Sequence, residues 1–341
     1  MQEPIGAAII GCGTIFPLHA GAVGKLEGVN LKVVVDSDLS KAEQAAAAYG
    51  CEAASDYLAL LEREDIQVVH LCTPHHLHAE MAARLLQAGK HVLTEKPLAH
   101  NLQTAEALLQ AAQHRRAQLG VVFQNRYNAS SQKIRELIDG SSLGRLLCLK
   151  GIVTWQRDEE YYTSSPWRGR WATEGGGVLI NQAIHTLDLL QWFGGEIVSV
   201  QGSVTADALG DTIEVEDTAH ASLQFAGGAR ALFYATNAYL TNSPVELELV
   251  FERGTLYQRS ECLYLSSDGR ETRLCEPPAT LDESGQVSGK SYWGSSHRLL
   301  IADFYDHIRT GSPFWINGTE GIKSLRLISE LYRSSRTRES R

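Results

Sequence analysis

The sequence has no C-x-x-C pair, no Gly-x-Ser-x-Gly elbow, and no run approaching the roughly 20 apolar residues that a membrane-spanning helix needs. Its six cysteines (Cys12, Cys51, Cys72, Cys148, Cys262 and Cys275) are scattered, several of them inside apolar runs. That pattern excludes a disulfide framework and a thiolate metal site, and it points to reduced thiols in a cytoplasmic protein. Basic charge is also short: 31 Lys and Arg face 40 Asp and Glu, a net charge of −9. A general nucleic-acid binder or a protein held on an anionic membrane carries the opposite sign. The N-terminus lacks a basic segment ahead of a long apolar stretch, since residues 7–10 are only strand-length and stop at Gly11, so no signal peptide is expected. His75, His76 and His78 lie close together, but no matching Cys, His or Asp set is nearby in the sequence and no metal is expected.

With 341 residues, 43% of them hydrophobic, the chain has material for two domains with substantial cores. Up to residue 123, apolar runs at 7–10, 31–35, 68–72, 91–93 and 120–123 alternate with helical stretches at 18–26, 40–49, 76–88 and 102–114. Strand-length apolar runs separated by helices specify βαβ units and a parallel sheet covered on both faces, an α/β Rossmann domain over 1–123. Beyond 123 the pattern changes. A helix at 130–138 precedes a strand at 146–155 and an apolar helix at 179–193, followed by alternating segments at 198–205, 218–225, 229–236, 245–251 and 262–265. Turn signals such as Gly227-Gly228 and Asp268-Gly269 join them, so 124–341 is expected to be an α+β domain with a largely antiparallel sheet. Residues 277–291 read as a polar loop, helices at 295–309 and 319–334 close the chain, and the basic tail 333–341 is expected to fray.

Gly11-Cys12-Gly13-Thr14-Ile15-Phe16 follows the first strand and opens the first helix. Glycines at Gly11 and Gly13 permit a tight turn and bring backbone N–H groups, including those of Thr14 and Ile15, close to a pyrophosphate. The third position of the pattern holds Phe16 rather than Gly or Ala, and a plain strand-to-helix turn is the competing reading. The second strand ends at Asp36, where a carboxylate accepts both hydroxyls of the adenosine ribose; a simple turn or helix-capping aspartate is the alternative. No arginine follows Asp36 to pair a 2′-phosphate, so NAD is favoured over NADP.

Val69-His70-Leu71-Cys72-Thr73-Pro74 with His78, and then His91-Val92-Leu93-Thr94-Glu95-Lys96-Pro97, carry a specific resemblance. It continues through Asn125-Arg126-Tyr127, Trp167-Arg168, Gly175-Gly176-Gly177 and the segment Asn181-Gln182-Ala183-Ile184-His185-Thr186-Leu187-Asp188. In these motifs the chain resembles the glucose–fructose oxidoreductase, inositol dehydrogenase and MocA (Gfo/Idh/MocA) family over nearly its whole length. The resemblance implies a Rossmann domain followed by an open-faced sheet domain that builds a homo-oligomer, dimer or tetramer. It also implies cofactor contacts from Thr73, Pro74, His78, Glu95, Lys96, Asn125, Trp167 and Arg168. Lys96 lies just past a parallel strand, where open α/β sheets place ligands, and an ammonium there stabilises charge on a substrate oxygen; by itself it would read as a surface lysine.

Asn181, His185 and Asp188 fall at i, i+4 and i+7, so on a helix spanning 179–193 they share one face. Oxidation of a secondary alcohol needs a base for the hydroxyl proton, and an imidazole suits that role, which makes His185 and Lys96 the candidate catalytic pair. Which of the two takes the proton is open, because the pair would titrate together. Asp188 would orient the imidazole or satisfy the helix, and a core histidine bonded to Asp188 is the plain structural reading. Many members of the family have aspartate where this chain has Asn181. The amide removes a negative charge and would favour an anionic uronate or nucleotide sugar, with Arg126, Arg168 and Arg170 as counter-charges; an amide bonded to a neutral polyol is an equal alternative. Lys96, Arg126, Trp167, Asn181 and His185 are the expected substrate contacts, in a stretch 155–171 dense in aromatics that stack on carbohydrate rings.

These residues point to an NAD-dependent oxidoreductase acting on a secondary hydroxyl or ketone of a sugar, inositol or sugar derivative. Two other functions stay open: a glycoside hydrolase that oxidises its sugar transiently with NAD, and a non-catalytic dinucleotide-binding regulator. The regulator has no need of Lys96 and His185 together.

Overall fold

The valine- and isoleucine-rich runs form strands because both faces of a parallel sheet exclude water. The computed structural model describes residues 3–113, 115–259, 262–276 and 296–339. The chain divides into two units, Met1–Phe123 with His297–Lys323, and Gln124–Ser296 with Ser324–Arg341. The polar loop expected at 277–291 lies outside the described residues.

In the first unit the elements run β1 (Ile5–Ile10), α1 (Phe16–Val23), β2 (Val29–Val35), α2 (Leu39–Tyr49), β3 (Glu52–Ala54), β4 (Val68–Leu71), α3 (His75–Gln87), β5 (His91–Thr94), α4 (Leu102–Ala112) and β6 (Leu119–Val121). All six strands are parallel, in the order β3-β2-β1-β4-β5-β6. The order reverses beside β1, and the crevice at the carboxyl ends of the strands at such a reversal is where doubly wound sheets bind ligands. Local chemistry sets the helix ends. The Asp38 carboxylate caps α2 by accepting from the Ser40 N–H, Gly50 ends it in the left-handed region, and Asn101 caps α4 through the Thr104 N–H.

The second unit contains α5 (Ala129–Asp139), β7 (Leu146–Thr154), α6 (Glu159–Thr163), α7 (Ile184–Gly194), β8 (Ile197–Thr205), β9 (Thr218–Phe225), β10 (Arg230–Thr236), β11 (Glu246–Phe251), β12 (Gly254–Arg259), β13 (Cys262–Ser267) and β14 (Arg270–Cys275). Its eight strands lie in the order β14-β13-β12-β11-β7-β10-β9-β8; β7 and β10 pair in parallel and the other pairs are antiparallel. Buried and exposed positions alternate along β9 and β11, as they must when one face of a sheet packs on a core.

Two helices follow, α8 (His297–Thr310) and α9 (Gly318–Glu339). Residues 297–323, read from the sequence with the second domain, pack in the first unit: the fully buried stripe Leu300, Ile301, Phe304 and Tyr305 faces inward there, and Val121 N–H donates to the Ile316 carbonyl. The tail does not fray at 333, because Ser334 and Ser335 accept the Gly202 and Val204 N–H groups of β8 and hold α9 helical to Glu339. Among the described residues no helix is long and apolar enough to cross a membrane.

Candidate active site

Strand β1 delivers the chain into Gly11 at φ +95°, where an added Cβ would stand 2.5 Å from the Cys72 carbonyl oxygen; only glycine fits. Asp36, at the end of β2, braces the turn that follows. Its Oδ2 accepts the Cys12 N–H at 2.9 Å and its Oδ1 accepts the Asp38 N–H at 3.0 Å. A carboxylate has roughly four lone-pair sites, so two remain for ribose hydroxyls. Helix α1 begins without a side-chain cap or an acidic residue in its first turn, which leaves its positive end to an anion. At the end of β4 the Thr73 hydroxyl is buried with no partner among the described residues. An orphaned donor, an open helix terminus and a carboxylate with lone pairs to spare on one rim fit NAD, and Gly11, Gly13, Thr14, Ile15, Asp36 and Thr73 are the residues that would hold it. Pro74 caps α3 beside them.

Past β5, Glu95-Lys96-Pro97 forms a turn with a cis Lys96-Pro97 bond. Glu95 does not present its carboxylate as a cofactor ligand. It is 7% exposed, and its Oε1 receives His19 Nε2 at 3.0 Å and lies 3.5 Å from His297 Nε2, while its Oε2 accepts the Lys96 backbone N–H at 3.2 Å. Burial alone would raise this carboxyl, but the hydrogen bonds from His19 and His297 hold it well below the usual range. His78 likewise turns inward: Nδ1 lies 2.7 Å from the Pro97 carbonyl and Nε2 2.8 Å from the Thr73 carbonyl, so the ring sits between the two loops, and when neutral it donates to one of these carbonyls. Burial keeps the ring below the ordinary histidine range against the pull of these carbonyls. Lys96 is thus clamped on both sides, by Glu95 at its own N–H and by His78 at the next carbonyl.

In the second unit His185 stands in the first turn of α7. Asn181 is not on that helix. Residues 178–183 form turns, because the buried Glu216 carboxylate takes the N–H groups of Gly177 and Leu179 at 3.0 Å each and bends the chain before it can coil. At Gly177 an added Cβ would stand 1.8 Å from the Glu216 carbonyl oxygen, so this glycine serves the fold at that close approach. Asp188 is committed to Arg126, accepting from Nε at 2.8 Å and Nη2 at 2.7 Å, with the guanidinium 2% exposed. The counter-charge expected of Arg126 is therefore neutralised inside the protein, and Arg170 forms an exposed ion pair with Glu214 at 2.8 Å.

A carboxyl group that the motif reading overlooked stands against Asn181. Glu174 Oε1 accepts from Asn181 Nδ2 at 2.5 Å and its Oε2 accepts the Gly169 N–H at 2.5 Å. Burial pushes the Glu174 carboxyl up to about 7, and burial pushes Glu216 up to about 7 as well. Around them Gln182 Nε2 donates to the Tyr161 hydroxyl at 3.1 Å, and Asn237 Nδ2 donates to the Tyr162 hydroxyl at 2.8 Å. Arg168 stacks 4.1 Å over the Tyr161 ring, the Trp167 carbonyl receives the Thr173 hydroxyl at 2.7 Å, and Asn125 Oδ1 is buried without a partner among the described residues. The signal for Glu174 was its place immediately before the three glycines. His19 and His70, buried in the first unit, gave none beyond being histidines in apolar runs.

The profile of an oxidoreductase family with an NAD-binding Rossmann fold matches residues 5–123, and the profile of the GFO/IDH/MocA C-terminal domain matches residues 131–257. An inositol 2-dehydrogenase of Rhizobium meliloti is 30% identical over 333 residues, 96% of this chain and 95% of that one. The chain belongs to the Gfo/Idh/MocA family. A levoglucosan dehydrogenase of Pseudarthrobacter phenanthrenivorans is 29% identical over 263 residues, 69% of this chain and 67% of that protein. Among solved structures, the WlbA dehydrogenase of Bordetella pertussis in complex with NADH and UDP-GlcNAcA superposes with a TM-score of 0.85 at 29% identity, covering 98% of this chain and 96% of that one. This Gfo/Idh/MocA member is accordingly an NAD-binding oxidoreductase of the dehydrogenase type.

Proposed function

We propose that this protein transfers a hydride between NAD and a secondary hydroxyl or ketone of a sugar, inositol or sugar derivative, uronates and nucleotide sugars included. One observation carries the reading. The residues following β1, β2, β4 and β5 set the Gly11 turn, the Asp36 carboxylate, the orphaned Thr73 hydroxyl and the clamped Lys96 on the carboxyl-end rim of a single parallel sheet. NAD supplies the hydride chemistry when bound. In this reading Lys96 hydrogen-bonds the substrate oxygen and steadies its developing charge, and His185 handles the hydroxyl proton. Trp167, Arg168 and Asn181 are assigned to substrate or nicotinamide contact, and Asn125 to the cofactor. The Glu174 carboxyl bonded to Asn181 weakens the argument that Asn181 selects an anionic substrate, and neutral polyols and sugars stand equally in the panel. We assign the protein to the cytoplasm and to a homo-oligomer, dimer or tetramer, built through the second sheet.

A panel of polyols, aldoses, uronates and nucleotide sugars incubated with NAD should show growth of the NADH absorbance band. Lys96→Ala and His185→Ala are each expected to cut turnover at least ~10²-fold with NAD affinity nearly unchanged. Parental rates in both variants would remove the assigned roles. Aglycone release without net NADH would instead identify a glycoside hydrolase, and NAD binding without turnover on any substrate a regulator.

A further inference from the structure

The first unit contains a buried line of polar side chains that hydride transfer does not itself require. His19 on α1, His70 on β4 and Tyr305 on α8 are each 0% exposed. His19 Nδ1 lies 2.8 Å from His70 Nδ1, His19 Nε2 lies 3.0 Å from Glu95 Oε1, and His70 Nε2 lies 3.0 Å from the Tyr305 hydroxyl. Each of these three links holds one proton, and the proton positions follow from the carboxylate end. An ionised Glu95 has no proton to give, so His19 donates through Nε2. A neutral His19 then accepts at Nδ1, which obliges His70 to donate through Nδ1. A neutral His70 accepts at Nε2, which obliges Tyr305 to donate its hydroxyl. Burial disfavours charge on both rings, holding His19 below and His70 well below the ordinary range.

We propose that Tyr305, His70, His19 and Glu95 form one polarised hydrogen-bond chain with every donor aimed toward Glu95, and that His19 and His70 are thereby positioning residues for Lys96. The proposal rests on the reading of Lys96 as the group that holds the substrate oxygen. Donors aligned in series in a dry interior strengthen one another, and the last acceptor, Glu95, fixes the Lys96 N–H through its second oxygen. A displacement of about an ångström at a catalytic group is enough to cost rate. Also facing Glu95 among the described residues are His297 from α8, Cys72 after β4 and His78 from α3.

The chain is tested first without cofactor or substrate, by nitrogen NMR of protein labelled at its imidazoles and assigned by single substitutions. His70 is expected to carry its proton on Nδ1 and to be bare at Nε2, and His19 the reverse. A His70 protonated at Nε2, or either ring doubly protonated at neutral pH, overturns it. Tyr305→Phe removes the terminal donor and should shift the His70 resonances; unchanged His70 nitrogens overturn it also.

The positioning role is tested on turnover. His19→Leu should lower kcat ~10-fold or more, change the KM for NAD less than ~3-fold, and move the acid limb of the kcat profile to higher pH. His19→Gln, whose amide reaches toward the Nε2 position, should restore most of the loss. Equal losses in both variants with an unmoved pH profile show a structural brace only and overturn the positioning role, as does a parental kcat in His19→Leu. A parental rate in Lys96→Ala strikes the reading of Lys96 and with it the positioning role, whereas the tautomers alone decide the chain.

Discussion

Asp36 has two duties that substitution separates. Its carboxylate already holds the Cys12 and Asp38 N–H groups, which shapes the glycine turn, and its remaining lone pairs are the ones the proposed NAD site assigns to the adenosine ribose. Hydrogen bonds to a charged group are worth roughly 1.5–3 kcal/mol each. Asp36→Ala is therefore expected to weaken NAD binding by at least ~10-fold and to narrow the preference over NADP, whose 2′-phosphate a carboxylate repels. Calorimetric titration with both dinucleotides checks this, and an unchanged Kd for NAD would leave Asp36 as a loop brace only. Lys96 shows the complementary case: Glu95 accepts its backbone N–H and His78 lies against the Pro97 carbonyl that follows, so two residues the motif marks as ligand contacts serve the fold as supports. A motif records which residues stand together; it does not record which of them face inward.

The same distinction separates the elements that were readable from those that were not. Strands β1, β4 and β5 and the Val33–Val35 half of β2 are buried on both faces with few exceptions, so they appear in the sequence as largely apolar runs and the parallel sheet follows from them. β3 has three partly exposed residues, and β14 is exposed over Arg270–Arg273, so neither carries an apolar pattern; pairing with a neighbour, which has no sequence signature, makes them strands. The start of α7 was misplaced for another reason. Val178, Leu179 and Ile180 are buried and look helical, but the Glu216 carboxylate, 37 residues from Leu179, claims their backbone. This brace makes stability depend on pH. Glu174 and Glu216 rise from 4.5 to about 7 on folding, so between those values the folded state binds more protons than the unfolded chain, and stability falls as pH rises. Below about 4.5 both states are protonated and above about 7 both are ionised, so the slope is confined to that window. At 1.36 kcal/mol per pH unit each group contributes a loss of at most about 3 kcal/mol. The buried histidines work in the opposite direction over the same range, so the carboxyls are read by difference: in urea unfolding between about pH 5 and 7, the stability of the parent relative to Glu174→Gln with Glu216→Gln should fall as pH rises, and an identical pH dependence in the double variant would contradict the assignment.

For the assembled protein, the exposed face of the eight-stranded sheet sets the last prediction. Along β10 the side chains alternate, Ala231, Phe233 and Ala235 inward and Leu232 outward, with Leu232 56% exposed between Lys150 of β7 and Ser222 of β9 in register. Val198 on β8 is 57% exposed, and Lys150 is paired with Glu248 of β11 at 2.5 Å, which neutralises the charges nearest Leu232. A broad sheet face carrying apolar side chains and internally paired charges suits burial against a second copy better than contact with water, because its charged groups keep their partners when water leaves. We assign the proposed homo-oligomer to this face, where a two-fold contact would place each Leu232 near its counterpart. Leu232→Glu would then bring like charges into a dry interface and should weaken self-association at least ~10-fold without altering far-ultraviolet circular dichroism. Sedimentation equilibrium at micromolar protein distinguishes the outcomes. A parental chain that sediments as a monomer removes the interface altogether, and a variant that associates as tightly as its parent moves it to another face.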